Sequence, residues 1–382
     1  MTLPHSSVFI LGILFDKVIA AHHVHDEQHL LTRLLLLNKM NNQLNFQELE
    51  SNIANMKESL INNFTNSFFC KDYKKLLESK KLVFVNDDDG IPIQNWGMRS
   101  EKYDHMKVND IGTVKIDKFV FGIDSSCIKV AEVEDGGLYA VKGCICISFK
   151  GKPLNHLKVG PFLFYLNEET LKNFRIDHNI LKLTLFNDDY AKKFLRINLE
   201  RYIQFWLSKL VTNSIILIDG SLKYSIFENQ FYSILRIFEN SVINKNSIIG
   251  ISKNTKIKVL KYFSYPLLKS KNPSFINIDL VITSLIRKIY GEHILVKFDD
   301  DKYASILRAD VVAFDNDVTN LLGTLLYNEF ITNGYPSTLQ LSHHVSTFSN
   351  TDLSSIQGFI KSNYFIKEVY HENIRNSILG SI

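Results

Sequence analysis

Two apolar runs in this chain stop at an aspartate. The first is Val120-Phe121-Gly122-Ile123 before Asp124-Ser125-Ser126. The second is Ile215-Ile216-Leu217-Ile218 before Asp219-Gly220-Ser221. A short, β-branched apolar run that ends on a carboxylate and small residues reads as a buried strand delivering an acid to a sheet edge. Two such acids brought together repel each other unless a cation lies between them. Hard divalent ions such as Mg²⁺ and Mn²⁺ prefer carboxylate oxygens.

The order of elements around these runs narrows the fold. Lys118–Asp124, Ile128–Glu134 and Leu138–Phe149 read as a three-strand meander, with a turn at Asp135-Gly136-Gly137. Strand-like sequence continues through Pro161–Leu185. A helix from about Asp188 to Val211 is marked by Leu195, Leu199, Ile203, Trp206 and Leu210 at helical spacing. Glu200 borders that stripe and is the only glutamate between Leu171 and Ile218. The strand ending at Asp219 follows, then a helix (Phe227–Glu239) and a strand (Ser247–Ser252). Farther on come a helix (Ile278–Tyr290), two strands (His293–Phe298 and Ala304–Phe314) and a helix (Val318–Thr332) that Asn333-Gly334 would stop.

Strand with Asp, hairpin, strand, helix with Glu, strand with Asp is the order in which a ribonuclease H-like fold presents its acids. Three carboxylates can hold one or two metals about 3.5–4 Å apart, an arrangement that hydrolyses phosphodiesters. Each acid alone says less. Asp219-Gly220 suits an ordinary turn, Asp124 could cap one through Ser125 or Ser126, and Glu200 could be a solvated helix residue.

The segment Gly334-Tyr335-Pro336-Ser337-Thr338-Leu339-Gln340-Leu341-Ser342-His343 adds a second set of polar groups. Pro336 suits a first helical turn. As a helix, the segment lines up Tyr335, Leu339 and His343 on one face, with Tyr335 and His343 about 12 Å apart. As a strand it would separate them by about 26 Å. On spacing alone, a core tyrosine and a hydrogen-bonded histidine is the simpler account.

In their order, the strand closing on Asp124, Leu217-Ile218-Asp219-Gly220-Ser221, Gly250-Ile251-Ser252-Lys253, and Gly334-Tyr335-Pro336 with Leu339 and Ser342-His343 resemble the NurA-type nucleases. The resemblance spans roughly residues 118 to 345. It implies an α/β fold with an RNase H-like core, a central mixed sheet flanked by helices. It implies Mn²⁺ or Mg²⁺ as cofactor, with 5′→3′ exonuclease and single-strand endonuclease action on DNA. It also implies a homodimer that works with a HerA-type hexameric helicase/translocase in resecting DNA ends. Carried over position by position, Asp124, Glu200, Asp219 and His343 are implied metal ligands, Tyr335 completes the site, and Lys253 contacts substrate phosphate. The chain departs from the family at Ser125, where glycine is usual, and at Ser342, where alanine is usual; neither removes a metal-binding atom.

The remaining sequence sets limits. With 382 residues, 45% of them hydrophobic, a large core is available. The expected division is a helical N-terminal region (1–112) for partner or dimer contacts, the nuclease core (113–350), and a C-terminal helix and tail (351–382). Within the first part, helical patterns cover Leu30–Leu37 and Phe46–Leu77. A net charge of +4 fits a local DNA channel rather than an overall basic surface. The apolar run Val8–Phe15 is too short to span a bilayer and lacks a basic flank, so a cytoplasmic protein without membrane contact is expected. Cys70, Cys127, Cys144 and Cys146 lack metal-ligand spacing and read as core thiols, Cys144 and Cys146 sharing one strand face. His22, His25 and His29 share a helical face without a distant Cys/His set to complete a zinc site, and Asp87–Gly90 and Asp299–Asp301 read as surface turns. No Walker A sequence occurs, so ATP-driven motion would come from a partner.

Two other functions fit parts of this pattern. One is a non-catalytic adaptor that clamps DNA or docks on a ring translocase, with both aspartates as turn residues. The other is a different RNase H-like nuclease, such as a resolvase or transposase, which needs the acids but neither Gly334-Tyr335-Pro336 nor His343.

Overall fold

The computed structural model describes residues 81–84, 107–172, 177–253, 260–301, 304–364 and 367–368. The expected helices of the first eighty residues, the His22/His25/His29 group, Cys70 and the Asp87–Gly90 turn lie outside them. Thirteen strands are β1 (Lys81–Phe84), β2 (Asn109–Asp110), β3 (Phe119–Val133), β4 (Gly136–Phe149), β5 (Lys152–Asn167), β6 (Ile215–Asp219), β7 (Ser247–Ser252), β8 (Ser274–Asn277), β9 (Glu292–Lys297), β10 (Ile306–Val312), β11 (Ile331–Thr332), β12 (Tyr335–Pro336) and β13 (Lys367–Glu368). Eleven of them form one mixed sheet, and β11 and β12 make a separate hairpin.

The heart of the sheet is the run β5-β4-β3-β6-β7. The first three strands pair antiparallel, and β6 and β7 run parallel to β3. That is the RNase H-like arrangement the acid order implied: a meander followed by two strands on its other flank. Strands β10, β9, β8 and β2 extend it beyond β7 by antiparallel pairing.

Strand parity divides the core. Phe121, Ile123, Ile216 and Ile218 point to one face and pack with Leu195, Leu199 and Ile203 of the helix Asp188–Leu210. Their alternates Val120, Ile215 and Leu217 point to the other face and pack with Leu321, Leu322 and Leu325 of the helix Val318–Asn328, and with Leu339. Burial on both faces is why β6 reads Ile-Ile-Leu-Ile without polar alternation. The helix Asp188–Leu210 begins where Asn187 accepts a hydrogen bond from the Asp189 amide, and Asp188 and Asp189 in its first turn suit the positive end of the helix dipole.

Four local expectations change. The first two strands of the expected meander are one continuous strand, β3, so Asp124 lies within it and the third strand is β5. Asp124 still reaches a sheet edge, because its parallel neighbour stops there: β3 pairs with β6 only from Val120 to Ile123, and with β1 only from Ala131 to Val133. Second, beyond Asn167 the expected strand sequence is helical, in Glu168–Lys172 and His178–Phe186. Asp177 caps the latter by accepting from the Asn179 amide. Third, the helix from Val318 ends at Asn328, and Asn333-Gly334 forms the two-residue turn between β11 and β12. Both turn residues have positive φ (52° and 77°), as a type I′ hairpin requires. Fourth, Tyr335 therefore lies on β12, and the helix begins only at Ser337.

The helix Asn350–Asn363 opens with a capping box between Ser349 and Asp352 and packs Leu353, Ile356 and Ile360 on Val130, Ala140 and Tyr165. Cys144 and Cys146 are buried on one face of β4 with their sulfurs 3.6 Å apart, as core thiols. Asp299–Asp301 forms a surface bend.

Candidate metal centre

The register of β3 and β6 brings the acids together. Ile123 pairs with Ile218, so the next residues, Asp124 and Asp219, leave the parallel pair side by side. By parity both point to the face that carries Leu217 and Leu339. The helix Ser337–Ser346 lies on that face beside β3, and the hairpin β11–β12 leads into it. Gly122 permits the close approach: a β-carbon there would stand 2.8 Å from the carbonyl carbon and oxygen of Thr338. Pro336 offers the helix no side-chain cap. Buried Glu329 caps it instead, accepting from the Thr338 amide at 2.8 Å and from the Ser148 hydroxyl at 2.6 Å. Burial nonetheless pushes the Glu329 carboxyl above its usual range.

His343, on the second turn of that helix, places Nδ1 2.7 Å from Asp124 Oδ2. Ser346 donates to the same oxygen at 3.2 Å, and the Ser125 amide donates to Oδ1 at 2.8 Å. With Asp124 ionised, Nδ1 must carry the hydrogen, which leaves the neutral ring its lone pair on Nε2. His343 is largely exposed, whereas Asp124 is 6% exposed. At Asp219, Lys253 Nζ donates to Oδ2 at 2.9 Å and the Tyr335 hydroxyl to Oδ1 at 3.4 Å. Burial and the two nearby aspartates raise the Tyr335 phenol well above its ordinary value, so it stays a donor.

Ligating atoms of Asp124, Asp219 and His343 all lie within 4.8 Å of one another, and among the described residues no other group of three or more His, Cys, Asp or Glu side chains is so gathered. Two carboxylates and one imidazole are a donor set that Mn²⁺ accepts readily and Mg²⁺ tolerates, so the residues fit the implied ion.

Glu200 stands apart from this trio. Ser125 follows Asp124 on β3, points to the opposite face, and donates to Glu200 Oε2 at 3.0 Å. Gln204 holds Oε1 at 2.9 Å, Arg201 holds Gln204 at 2.6 Å, and buried Glu228 holds Arg201 at 2.8 Å. Loss of solvent around its carboxyl, with a smaller push from the Asp124 charge, takes the Glu200 pKa from 4.5 up to about 7. Thus Asp124, Asp219, His343, Tyr335 and Lys253 converge, and Glu200 reaches the centre through Ser125. Sequence reasoning did not select Ser125, Ser346, Gln204 or Glu329. The spacing of Ser346 from His343, three residues on one helix, was the available signal for the second of these.

The fold and this centre define a class: an RNase H-like α/β protein with an acid-and-imidazole cluster where two parallel strands part. Residues 119–348 match the sequence model of the NurA domain, and the chain belongs to the NurA domain family. Among solved structures it is similar to the NurA nuclease from Sulfolobus solfataricus, at 17% identity over 68% of this chain and 87% of that one, with a TM-score of 0.41. It is also similar to the Aquifex aeolicus Argonaute (14% identity, 60% and 28% of the two chains, TM-score 0.28). The Marinitoga piezophila Argonaute in complex with 5′ OH guide RNA gives 16% identity, 62% and 30% coverage, and a TM-score of 0.25. No curated protein matches the chain.

Proposed function

We infer that the chain is a DNA nuclease dependent on Mn²⁺ or Mg²⁺, with the cation held by Asp124, Asp219 and His343. The observation that carries this reading is the convergence of those three side chains from three separate elements within 4.8 Å. When bound, the ion supplies positive charge that polarises a phosphodiester and acidifies water.

The chain's own groups have complementary tasks. Ser125 and Ser346 hold the Asp124 carboxylate in one orientation through hydrogen bonds to different oxygens. The Tyr335 hydroxyl does the same for Asp219. His343 keeps a lone pair on Nε2 when Nδ1 donates to Asp124, and can ligate the ion or take a proton from an attacking water. Lys253, on an exposed edge, offers an ammonium to a backbone phosphate. Glu200 is assigned as the third acid of the set, acting on the centre from the far face of β3.

Family membership supports the wider role: 5′→3′ exonuclease and single-strand endonuclease action on DNA ends during double-strand-break repair, as a homodimer in the cytoplasm, driven by a HerA-type ATPase. Among the described residues no helix is long and apolar enough to cross a membrane.

Purified protein should shorten end-labelled linear DNA with Mn²⁺. Asp124→Asn and Asp219→Asn should each lose at least about a hundredfold in rate, the scale on which single electrostatic groups act, while circular dichroism shows an unchanged fold. Absence of cleavage with every divalent metal in the wild type would leave the adaptor reading in place, and cleavage that persists in both variants would take these two acids out of the reaction.

A further inference from the structure

Lys253 occupies an unusual position for a phosphate-binding lysine. Its ammonium is bound to the acid that would hold the metal, 2.9 Å from Asp219 Oδ2, and lies 4.9 Å from the centre of the Tyr335 ring. On the neighbouring acid, the His343 imidazole engages Asp124 Oδ2. Beside their hydroxyl and amide donors, the two adjacent carboxylates thus each hold one nitrogen base of the chain's own, Lys253 on Asp219 and His343 on Asp124.

Such an arrangement answers the repulsion between the acids. It also means that a divalent ion and the Lys253 ammonium compete for Asp219, because two cations on one carboxylate oxygen repel each other. The competition is cheap to resolve. The lysine side chain is 39% exposed, and exposed ion pairs are weak. Lys253 follows the last residue of β7 on a flexible four-carbon stem, so release from Asp219 leaves the ammonium at the mouth of the centre. The nearest anion then available is the phosphate of a bound nucleic acid.

We propose that Lys253 is a tethered counter-cation: it neutralises Asp219 in the metal-free protein and is handed to a substrate phosphate when the metal binds. Metal loading then adds one phosphate contact, and metal and nucleic acid bind cooperatively through this side chain. The proposal rests on the metal-dependent nuclease reading, and the experiment separates the two.

Mn²⁺ binding is measured by titration calorimetry without nucleic acid on the wild-type chain, Lys253→Met and Lys253→Arg. Loss of the competitor should tighten Mn²⁺ binding by about two- to fivefold in Lys253→Met, within the range an exposed ion pair spans. Lys253→Arg should stay near wild type. The second arm measures binding of a phosphorothioate single strand across a salt series, with and without Mn²⁺. In the wild type, Mn²⁺ should steepen the slope of log K against log salt by about 0.7, the value for one added contact to a single strand; in Lys253→Met the slope should not change. Equal or weaker Mn²⁺ binding by Lys253→Met overturns the proposal, as does a wild-type slope indifferent to Mn²⁺. Both results leave the metal centre standing, whereas failure of Mn²⁺ to bind any of the three chains removes the nuclease reading and this proposal together.

Discussion

Asp124 and Ser125 are neighbours on β3 and face opposite sides of the sheet, and that single fact orders the polar groups around the centre. Asp124 meets His343 and Ser346 on one side, while Ser125 meets Glu200 on the other. Glycine, usual in the family at this position, would leave Glu200 without that donor. Glu200 takes up its proton at about pH 7 in the folded chain and at about 4.5 when unfolded. Between those values the folded state holds a proton that the unfolded state has lost. Its contribution to stability is therefore complete below about pH 4.5 and disappears as the pH rises through 7. Chemical denaturation of wild type and Glu200→Gln across pH 4–8 should show it: the wild type's advantage over the variant should shrink steadily in that window. A difference independent of pH would mean that Glu200 titrates alike in the folded and unfolded chain.

At the scale of elements, the helix Ser337–Ser346 is the part on which the centre depends most, since it carries both His343 and Ser346. Its seat is made by Gly122 beneath it and Glu329 at its start. In Gly122→Ala the new methyl must push against the Thr338 backbone, which a flexible side chain elsewhere could not relieve. Overpacking of this sort costs about 1–3 kcal/mol. Denaturant unfolding should show that loss, and Mn²⁺ should stabilise the variant less than the wild type, because the His343–Asp124 pairing moves with the helix. Unaltered stability and metal response would mean that the helix is not seated through Gly122.

The same elements show what could be read from sequence. The strand ending at Asp219 and the capped helix bearing Glu200 are local patterns and were legible, whereas the run before Asp124 was legible as strand but not its continuation through Ser125 and Ser126 to Val133. Asn333-Gly334 was not, because the positive φ that ends a helix also makes a type I′ hairpin turn, and only β-pairing of Thr332 with Tyr335 decides between them. Pro161–Leu185 reads as strand throughout, yet capping by Asp177 and packing of Leu181 into the core favour helix over His178–Phe186. Glu200 could be placed on its helix but not on a face of the sheet, since that follows from how the whole helix docks.

Across the whole molecule, an open stretch in one strand creates the centre. β3 runs on past its parallel partner β6 before β1 takes up the edge, so the segment from Asp124 to Val130 has no strand beside it on that flank. Helices fill the space: Ser346 accepts from the Ser126 hydroxyl through its carbonyl, and Gln357 donates to the Val130 carbonyl at 3.1 Å. The sheet thus supplies two carboxylates in fixed register, and the helix Ser337–Ser346 supplies the imidazole.

The most direct test of this account is the anomalous scattering of Mn²⁺ soaked into crystals of the full chain. A peak among Asp124, Asp219 and His343, with the Lys253 ammonium no longer on Asp219, is the predicted result. Mn²⁺ bound elsewhere, or no Mn²⁺ peak with the Lys253–Asp219 pair intact at saturating metal, would contradict it.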